Sequence, residues 1–374
     1  MEETCLGFVA DIHAANHRQF SGELVGGLNQ RARQIVAALG DGMAALQQEA
    51  PHRVIVLGDL FDTVRPTPPL VRAVADALVK GMPEDRSNVT VLLGNHDRAS
   101  TAEHDHAAAP IGLSDRIDVV DSPRVDYTVG AYLLHVPYMA GPAAGWLPDA
   151  VADLARECRG LARRVLCTHI GIWDDDTPVY LRGAKDALSI GAVLDLCKAN
   201  KIDAVFAGNW HKRKVWRGPP LVVIPGTTVP PNFGDDDASV GNSLLVRLND
   251  RGVSHHWRPV PGPRWLRVES AARLAEVTPP AVGHLYVRAL IDQGVVAEAN
   301  RSRDRLQASG VVTVELQVES TTARLAAKDA AKLARSAVSV DQAVVAYVAK
   351  TPVDPPGTVD GVVSRVADYR KRTC

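Results

Sequence analysis

The chain has 374 residues, 46% of them hydrophobic and 23% charged, with 42 Lys and Arg against 43 Asp and Glu for a formal net charge of -1. It is too long for one average domain and can bury a full core plus a smaller appendage. The near-neutral balance argues against autonomous tight binding of nucleic acid, which rests on neutralising phosphates with a basic excess, though not against cutting DNA that a partner holds.

No apolar run is long enough to span a bilayer, and the start, Met1-Glu2-Glu3-Thr4, is acidic. Neither a membrane anchor nor a signal peptide is expected, and the expected location is cytoplasmic. The five cysteines (Cys5, Cys158, Cys167, Cys197 and Cys374) are scattered with no C-x-x-C pair. That spacing speaks against a disulfide framework or a zinc knuckle.

In chain order, short apolar runs recur, each ending in a polar turn. Cys5 to Ala10 leads into Asp11-Ile12-His13, and Arg53 to Leu57 into Gly58-Asp59-Leu60-Phe61-Asp62. Val89 to Leu93 leads into Gly94-Asn95-His96-Asp97, Arg164 to Cys167 into Thr168-His169, and Ala204 to Ala207 into Gly208-Asn209-Trp210-His211. These runs are rich in β-branched residues and bounded by turn formers, so they read as buried strands. Between them, Leu28 to Gln48, Pro69 to Lys80 and Ile190 to Ala199 carry helical spacing, with Ile35, Leu39, Met43 and Leu46 forming the first apolar stripe. Strands alternating with helices predict a layered α/β core with its functional loops at one edge.

Further strands follow at Leu221 to Ile224, Ser243 to Leu248 and Val253 to Trp257, and the run Pro259-Val260-Pro261-Gly262-Pro263 then marks a boundary. Beyond it, Leu285 to Ile291, a helix over 295–307, and Val311 to Val318 make a small β-α-β unit. The remainder is rich in Ala, Lys and Arg. Ser339-Val340-Asp341-Gln342 reads as a capping box, and Val359, Val362, Val363, Val366 and Tyr369 follow helical spacing. The expected organisation is a core over 1–260, a cap over 264–320 and a helical tail over 321–374.

Any one of the five turns is weak on its own. Together they offer carboxylate, amide and imidazole donors in order, as a pair of hard divalent ions requires. Asp11 and His13, two apart in what reads as extended backbone, can face one side. Asp59 is a free carboxylate able to bridge two ions, Asn95 offers a carbonyl oxygen, and His169 and His211 add imidazoles.

The ordered set D-x-H, G-D-x-x-D, G-N-H-D, a lone His after a strand, and G-x-x-H resembles the calcineurin-like metallophosphoesterases over residues 1–258. The resemblance implies a layered β-sandwich core with flanking helices and two divalent ions, manganese or, alternatively, magnesium. Asp11, His13, Asp59 and His211 would surround one ion; Asp59, Asn95, His169 and Asn209 would surround the other. A hydroxide activated by both metals would attack phosphorus in line. His96 would protonate the leaving oxygen or stabilise the transition state, and Asp62 would orient His96 and keep it protonated. One position departs: the family usually reads G-H-x-H, whereas this chain has Gly208-Asn209-Trp210-His211. An amide oxygen is a poorer ligand than imidazole for a transition metal.

Finer features, namely Gly58-Asp59-Leu60-Phe61-Asp62, Asp97 in the third turn, and Ile224-Pro225-Gly226-Thr227 followed by Asn232-Phe233-Gly234, are similar to SbcD-type DNA nucleases and their phage relatives. That likeness implies a DNA exo/endonuclease subunit of recombination and repair, a homodimer working with an SbcC-like coiled-coil ATPase docked on the tail. Two other readings stay open: a small-molecule (nucleotide) phosphodiesterase or phosphatase using the same metals, and a weakly catalytic scaffold subunit motivated by Asn209. Lys212 and Arg213 read either as phosphate contacts or as a solvated turn, and Trp210 either as a base-stacking platform or as packing. His135 reads as a core histidine, His17, His104 and His106 as loop residues, and Asp174 to Asp176 and Asp235 to Asp237 as solvated acidic runs.

Overall fold

A computed structural model describes residues 3–84, 86, 88–98, 105–235 and 241–319. The predicted tail over 321–374, with its capping box and valine stripe, lies outside the described residues, as do His104, Asp236 and Asp237.

The Thr4–Val9 strand is buried at every position and sits centrally in the first six-stranded sheet. It pairs in parallel with Arg53–Leu57, which pairs with Val89–Leu92 and then Ile117–Val120. On its other side it runs antiparallel to Asn242–Asn249, itself paired with Gly252–Pro259. The second six-stranded sheet is ordered Lys214–Trp216, Leu221–Ile224, Ala204–Gly208, Arg163–His169, Ala131–Val136 and Arg124–Thr128. Alternate residues of a strand face opposite sides, so a strand buried on both faces must be apolar throughout. Leu6, Phe8, Ile55 and Leu57 accordingly meet Val165, Cys167, Phe206 and Val223 between the sheets, where Phe8 and Phe206 stack with centroids 4.2 Å apart. Val9, Val54 and Val56 face the opposite way, into the core under the flanking helices.

Helix α1 (Gln30–Gln47) and helix α2 (Pro68–Leu78) cover the first sheet. Helix α3 (Ala143–Glu157) and helix α4 (Ile190–Asn200) cover the second. The result is the expected sandwich of two sheets with helices outside. Asn29 and Ser189 cap α1 and α4 by accepting from Ala32 N–H and Ala192 N–H. Helix α3 is absent from the sequence reading because Pro148 lies inside it and removes one backbone donor. Burial of Leu147, Val151 and Leu154 on one face outweighs that cost.

Past the proline-rich run, Arg264–Val268, Leu285–Asp292 and Val312–Glu319 form a separate three-stranded parallel sheet. Its helices α5 (Ala271–Glu276) and α6 (Val296–Gln307) close a small core of their own. The first strand and α5 extend the expected β-α-β unit; Arg264–Val268 is too short and too charged to stand out from the proline-rich segment before it. Phe20, Phe233, Trp265 and Tyr286 pack together where this unit meets the larger one, and Tyr286 Oη donates to Gln34 Oε1 of α1 at 2.6 Å.

Candidate metal centre

All five polar turns follow parallel strands at one edge of the paired sheets, and backbone hydrogen bonds lock the first two together. Asp11 N–H donates to Gly58 O at 3.2 Å and His13 N–H to Asp59 O at 3.0 Å. The expectation of extended backbone across Asp11 and His13 is corrected: φ is 51° at Asp11, 49° at His13 and 49° at Asp59. Left-handed backbone at non-glycine residues is unfavourable and concentrates at functional sites. Here the interlocked turns hold it in place. The motif glycines answer to close approach: a Cβ on Gly58 would lie 2.2 Å from His169 Nδ1, and one on Gly94 would lie 2.1 Å from Asp59 Oδ1.

Asp59 is the hub. Its Oδ1 accepts His96 N–H at 2.9 Å, while Oδ2 lies 3.6 Å from His13 Nε2 and 3.4 Å from His169 Nε2. His13 Nε2 is in turn 3.1 Å from His211 Nε2, and His169 Nε2 is 3.0 Å from Asn95 Oδ1. One carboxylate oxygen thus stands between two imidazoles, each with a further donor beside it. Each imidazole is oriented from behind, His13 Nδ1 by Asp62 Oδ1 at 3.0 Å and His169 Nδ1 by Leu57 O at 2.6 Å. Anchoring the far nitrogen in this way presents Nε2 to the centre, as for metal-ligating histidines.

The electrostatics favour a cation. Asp11 is fully buried; Oδ1 accepts Asn209 N–H at 2.9 Å, but Oδ2 has no partner. Burial pushes its carboxyl above the usual range, partly offset by His169 and His211. A buried carboxylate oxygen without a donor is costly, and a divalent ion supplies what it lacks. Burial also opposes ionisation of Asp59, yet His169 and His13 outweigh it and hold that carboxyl below the usual range. For His169, burial alone would strip the proton, but Asp59, Asp11 and the Leu57 carbonyl hold the imidazole up at about 9. The groups Asp11/His13/His211 and Asp11/Asp59/His169 each bring their ligand atoms within 4.8 Å of one another. These donor sets suit two divalent ions sharing Asp59.

His96 lies at the mouth, its side chain 43% exposed and edge-on to His13 with centroids 4.8 Å apart. Asp62 stands 3.5 Å from His96 Nδ1, farther than from His13. Asn209 sits with φ at 93°, its side-chain amide donating to Asp186 Oδ2 at 2.7 Å. Trp210 is half-buried against Gly171, where a Cβ would come within 2.4 Å of its Nε1. One face of the ring packs, and Trp210 also lines the neighbouring cleft. Lys212 is exposed, and Arg213 lies over the Trp257 ring at 5.2 Å. The metal cleft, about 420 Å³, and a neighbouring cleft of about 480 Å³ beside Trp210, Lys212 and Arg213 share Asn209 and His211.

Four residues had no assigned role in the sequence reading. Asp97 is fully buried and accepts from Gly94 N–H at 2.9 Å, Phe61 N–H at 2.9 Å and Leu60 N–H at 3.3 Å, tying the third turn to the second. His17, read as a loop residue, contacts His13 O at 3.0 Å through Nε2 and faces Asp62. Arg31 is a buried cation at the cleft, donating to Gln19 O and Pro231 O and lying over Trp265; burial lowers it to about 10, still charged at neutral pH. Asp186 falls in an irregular segment with no motif around it. Only Asp97, standing inside G-N-H-D, carried a signal. His135 is buried beside Asp126 at 3.3 Å, a core residue as read.

Two facing sheets with this hub at one edge fit a metallophosphoesterase with a dinuclear site. A family model, calcineurin-like phosphoesterase, matches residues 6–213, and the chain belongs to that family. No curated protein matches it. Among solved structures it is similar to a protein of Thermus thermophilus (13% identity, TM-score 0.43, covering 68% of this chain and 99% of that one). It is also similar to a dimetal phosphatase from Danio rerio (14%, 0.37, 69% and 99%) and to a purple acid phosphatase from yellow lupin seeds (9%, 0.43, 69% and 52%). Among the described residues no helix is long and apolar enough to cross a membrane.

Proposed function

We propose that this phosphoesterase is a DNA exo/endonuclease subunit that hydrolyses phosphodiester bonds with two divalent ions, manganese or magnesium. The observation that carries the reading is a second cleft, lined by Lys212, Arg213 and Lys214, that adjoins the metal cleft and shares Asn209 and His211 with it as walls. A phosphate monoester would need only the first. A polymer needs room and positive charge on at least one side of the scissile bond. The motif Gly58-Asp59-Leu60-Phe61-Asp62, similar to that of SbcD-type nucleases, supports the same reading.

When bound, the two ions supply a nucleophile at neutral pH and neutralise charge on the phosphoryl oxygens. The chain supplies everything else. Asp59, buried and held ionised by His169 and His13, would be shared by both ions, and Asp62 and Leu57 O orient the imidazoles of His13 and His169. His96, exposed at the mouth, is the group we assign to hand a proton to the leaving oxygen. With a net charge of -1, the chain suits a subunit whose partner holds the DNA. We assign that partner to an SbcC-like coiled-coil ATPase, with the nuclease as a homodimer.

The size of the metal cleft alone, about 420 Å³, also suits a single nucleotide, which keeps a small-molecule phosphodiesterase as the second reading. Incubating the chain with labelled linear DNA, with nucleotides and with a chromogenic phosphodiester, each with and without manganese, separates them. The nuclease reading expects manganese-dependent shortening of DNA. Turnover of the small esters with DNA left intact, in the presence of the ATPase as well, would overturn it.

A further inference from the structure

Asn209 is held at three points. Its backbone is left-handed, its N–H donates to Asp11 Oδ1 at 2.9 Å, and its side-chain Nδ2 donates to Asp186 Oδ2 at 2.7 Å. A primary amide has one donor end and one acceptor end, and against a carboxylate only the NH₂ end is stable, since two acceptors at that distance repel. The Asp186 carboxylate therefore chooses the rotamer, and Oδ1 is turned away from Asp186. Asp186 is itself anchored, because its carbonyl accepts Gly171 N–H at 2.9 Å, two residues beyond His169. Asn209 lines the metal cleft together with His13, Asp59 and His211.

We propose that Asp186 is a positioning residue that turns the Asn209 amide oxygen toward the second metal position, where the family's usual motif supplies an imidazole. This rests on the dinuclear reading of the centre. An amide without such a partner is free to turn its NH₂ end toward the cation position. With Asp186 in place, a metal at the second position would be offered oxygens from Asp59, Asn95 and Asn209 and a single nitrogen from His169. A set dominated by oxygen favours manganese and magnesium over zinc.

Calorimetric titration of manganese and of zinc into the full chain tests the assignment without reference to turnover. Asp186→Ala should weaken manganese at one of the two positions by about tenfold or more, as loss of a ligand-orienting partner does, leave the other position unchanged, and narrow the manganese-to-zinc preference. Asp186→Asn, whose amide can accept from Asn209 Nδ2 or donate to Asn209 Oδ1 and so no longer fixes the rotamer, should fall between Asp186→Ala and the wild type. Asp59→Ala is the control for the centre itself and should lose metal at both positions. If Asp59→Ala loses metal while Asp186→Ala matches the wild type, or loses both positions equally, the Asp186 proposal fails and the dinuclear centre stands. If Asp59→Ala binds both ions normally, the dinuclear reading fails and the Asp186 proposal with it.

Discussion

Asp62 accepts a hydrogen bond from His13, with Oδ1 3.0 Å from Nδ1. The sequence had paired Asp62 with His96, which stands at 3.5 Å from the same oxygen. One carboxylate therefore serves both the imidazole that faces the metals and the imidazole at the mouth, and His17 approaches its other oxygen at 3.6 Å. Removing its charge should disturb metal binding as well as proton transfer.

Asp62→Asn is accordingly expected to weaken manganese by about tenfold or more, the range for loss of a carboxylate behind a ligating histidine, and to shift the pH dependence of turnover. His96→Asn should retain both metals and slow hydrolysis by about a hundredfold or more, as loss of a general acid does. Metal content by elemental analysis, beside initial rates on a chromogenic phosphodiester, separates the two. A His96→Asn protein that loses metal but turns over normally would reverse the assignment.

Asp59→Ala should abolish hydrolysis and remove more than one site's worth of metal, because Oδ2 stands between His13 and His169. Exhaustive chelation of the wild type should have the same effect on activity. Hydrolysis that survives either treatment would refute a bridging role for this carboxylate.

Asp97 never reaches the cleft, yet it accepts from three backbone N–H groups of two turns. Asp97→Ala strands those buried donors, each worth about 1–3 kcal/mol when left unsatisfied. A loss of about 3 kcal/mol or more in urea denaturation is expected, together with weaker metal binding as the Gly94–Asp97 turn loosens. Unchanged stability in Asp97→Ala would show that the turns hold together without it.

The His169 imidazole, held up at about 9 by the carboxylates around it against the effect of burial, is protonated at pH 7 before metal arrives. A cation must displace that proton, so manganese affinity should climb as pH rises from 7 toward 9, about tenfold per unit for one proton released. In the metal-free protein the sign is opposite. The folded value lies above the ordinary 6.5, so the stabilisation it contributes is complete below 6.5 and is lost as pH rises through about 9. Melting of wild type and His169→Asn in chelator should converge over that window, and calorimetry at pH 7 and 8 should show the affinity rise. A flat manganese affinity across those pH values would contradict the proton displacement.

The five turns and their strands were legible in the sequence because both signals are short-range. Buried parallel strands are largely apolar, as in Thr4–Val9 and Ala204–Gly208, and Gly, Asp and Asn end them for local steric reasons. The donor chemistry could be read too, since carboxylates and imidazoles in that order suit few purposes other than divalent ions. Helix α3 was hidden by Pro148, and the Arg264–Val268 strand by the prolines before it, because tertiary burial overrode a local signal in each. What only the tertiary structure decided is which atom of each residue does what. The Leu57 carbonyl that anchors His169 is 112 residues away from it in sequence, and Asp62 takes His13 as its hydrogen-bond partner. Asp186 meets Asn209 only because the segment after the His169 strand folds back, with Gly171 N–H bonded to Asp186 O, beside the turn that follows Ala204–Gly208. Such contacts depend on how two sheets pack, and a pattern that repeats every two or four residues carries no record of a distance set across the sandwich.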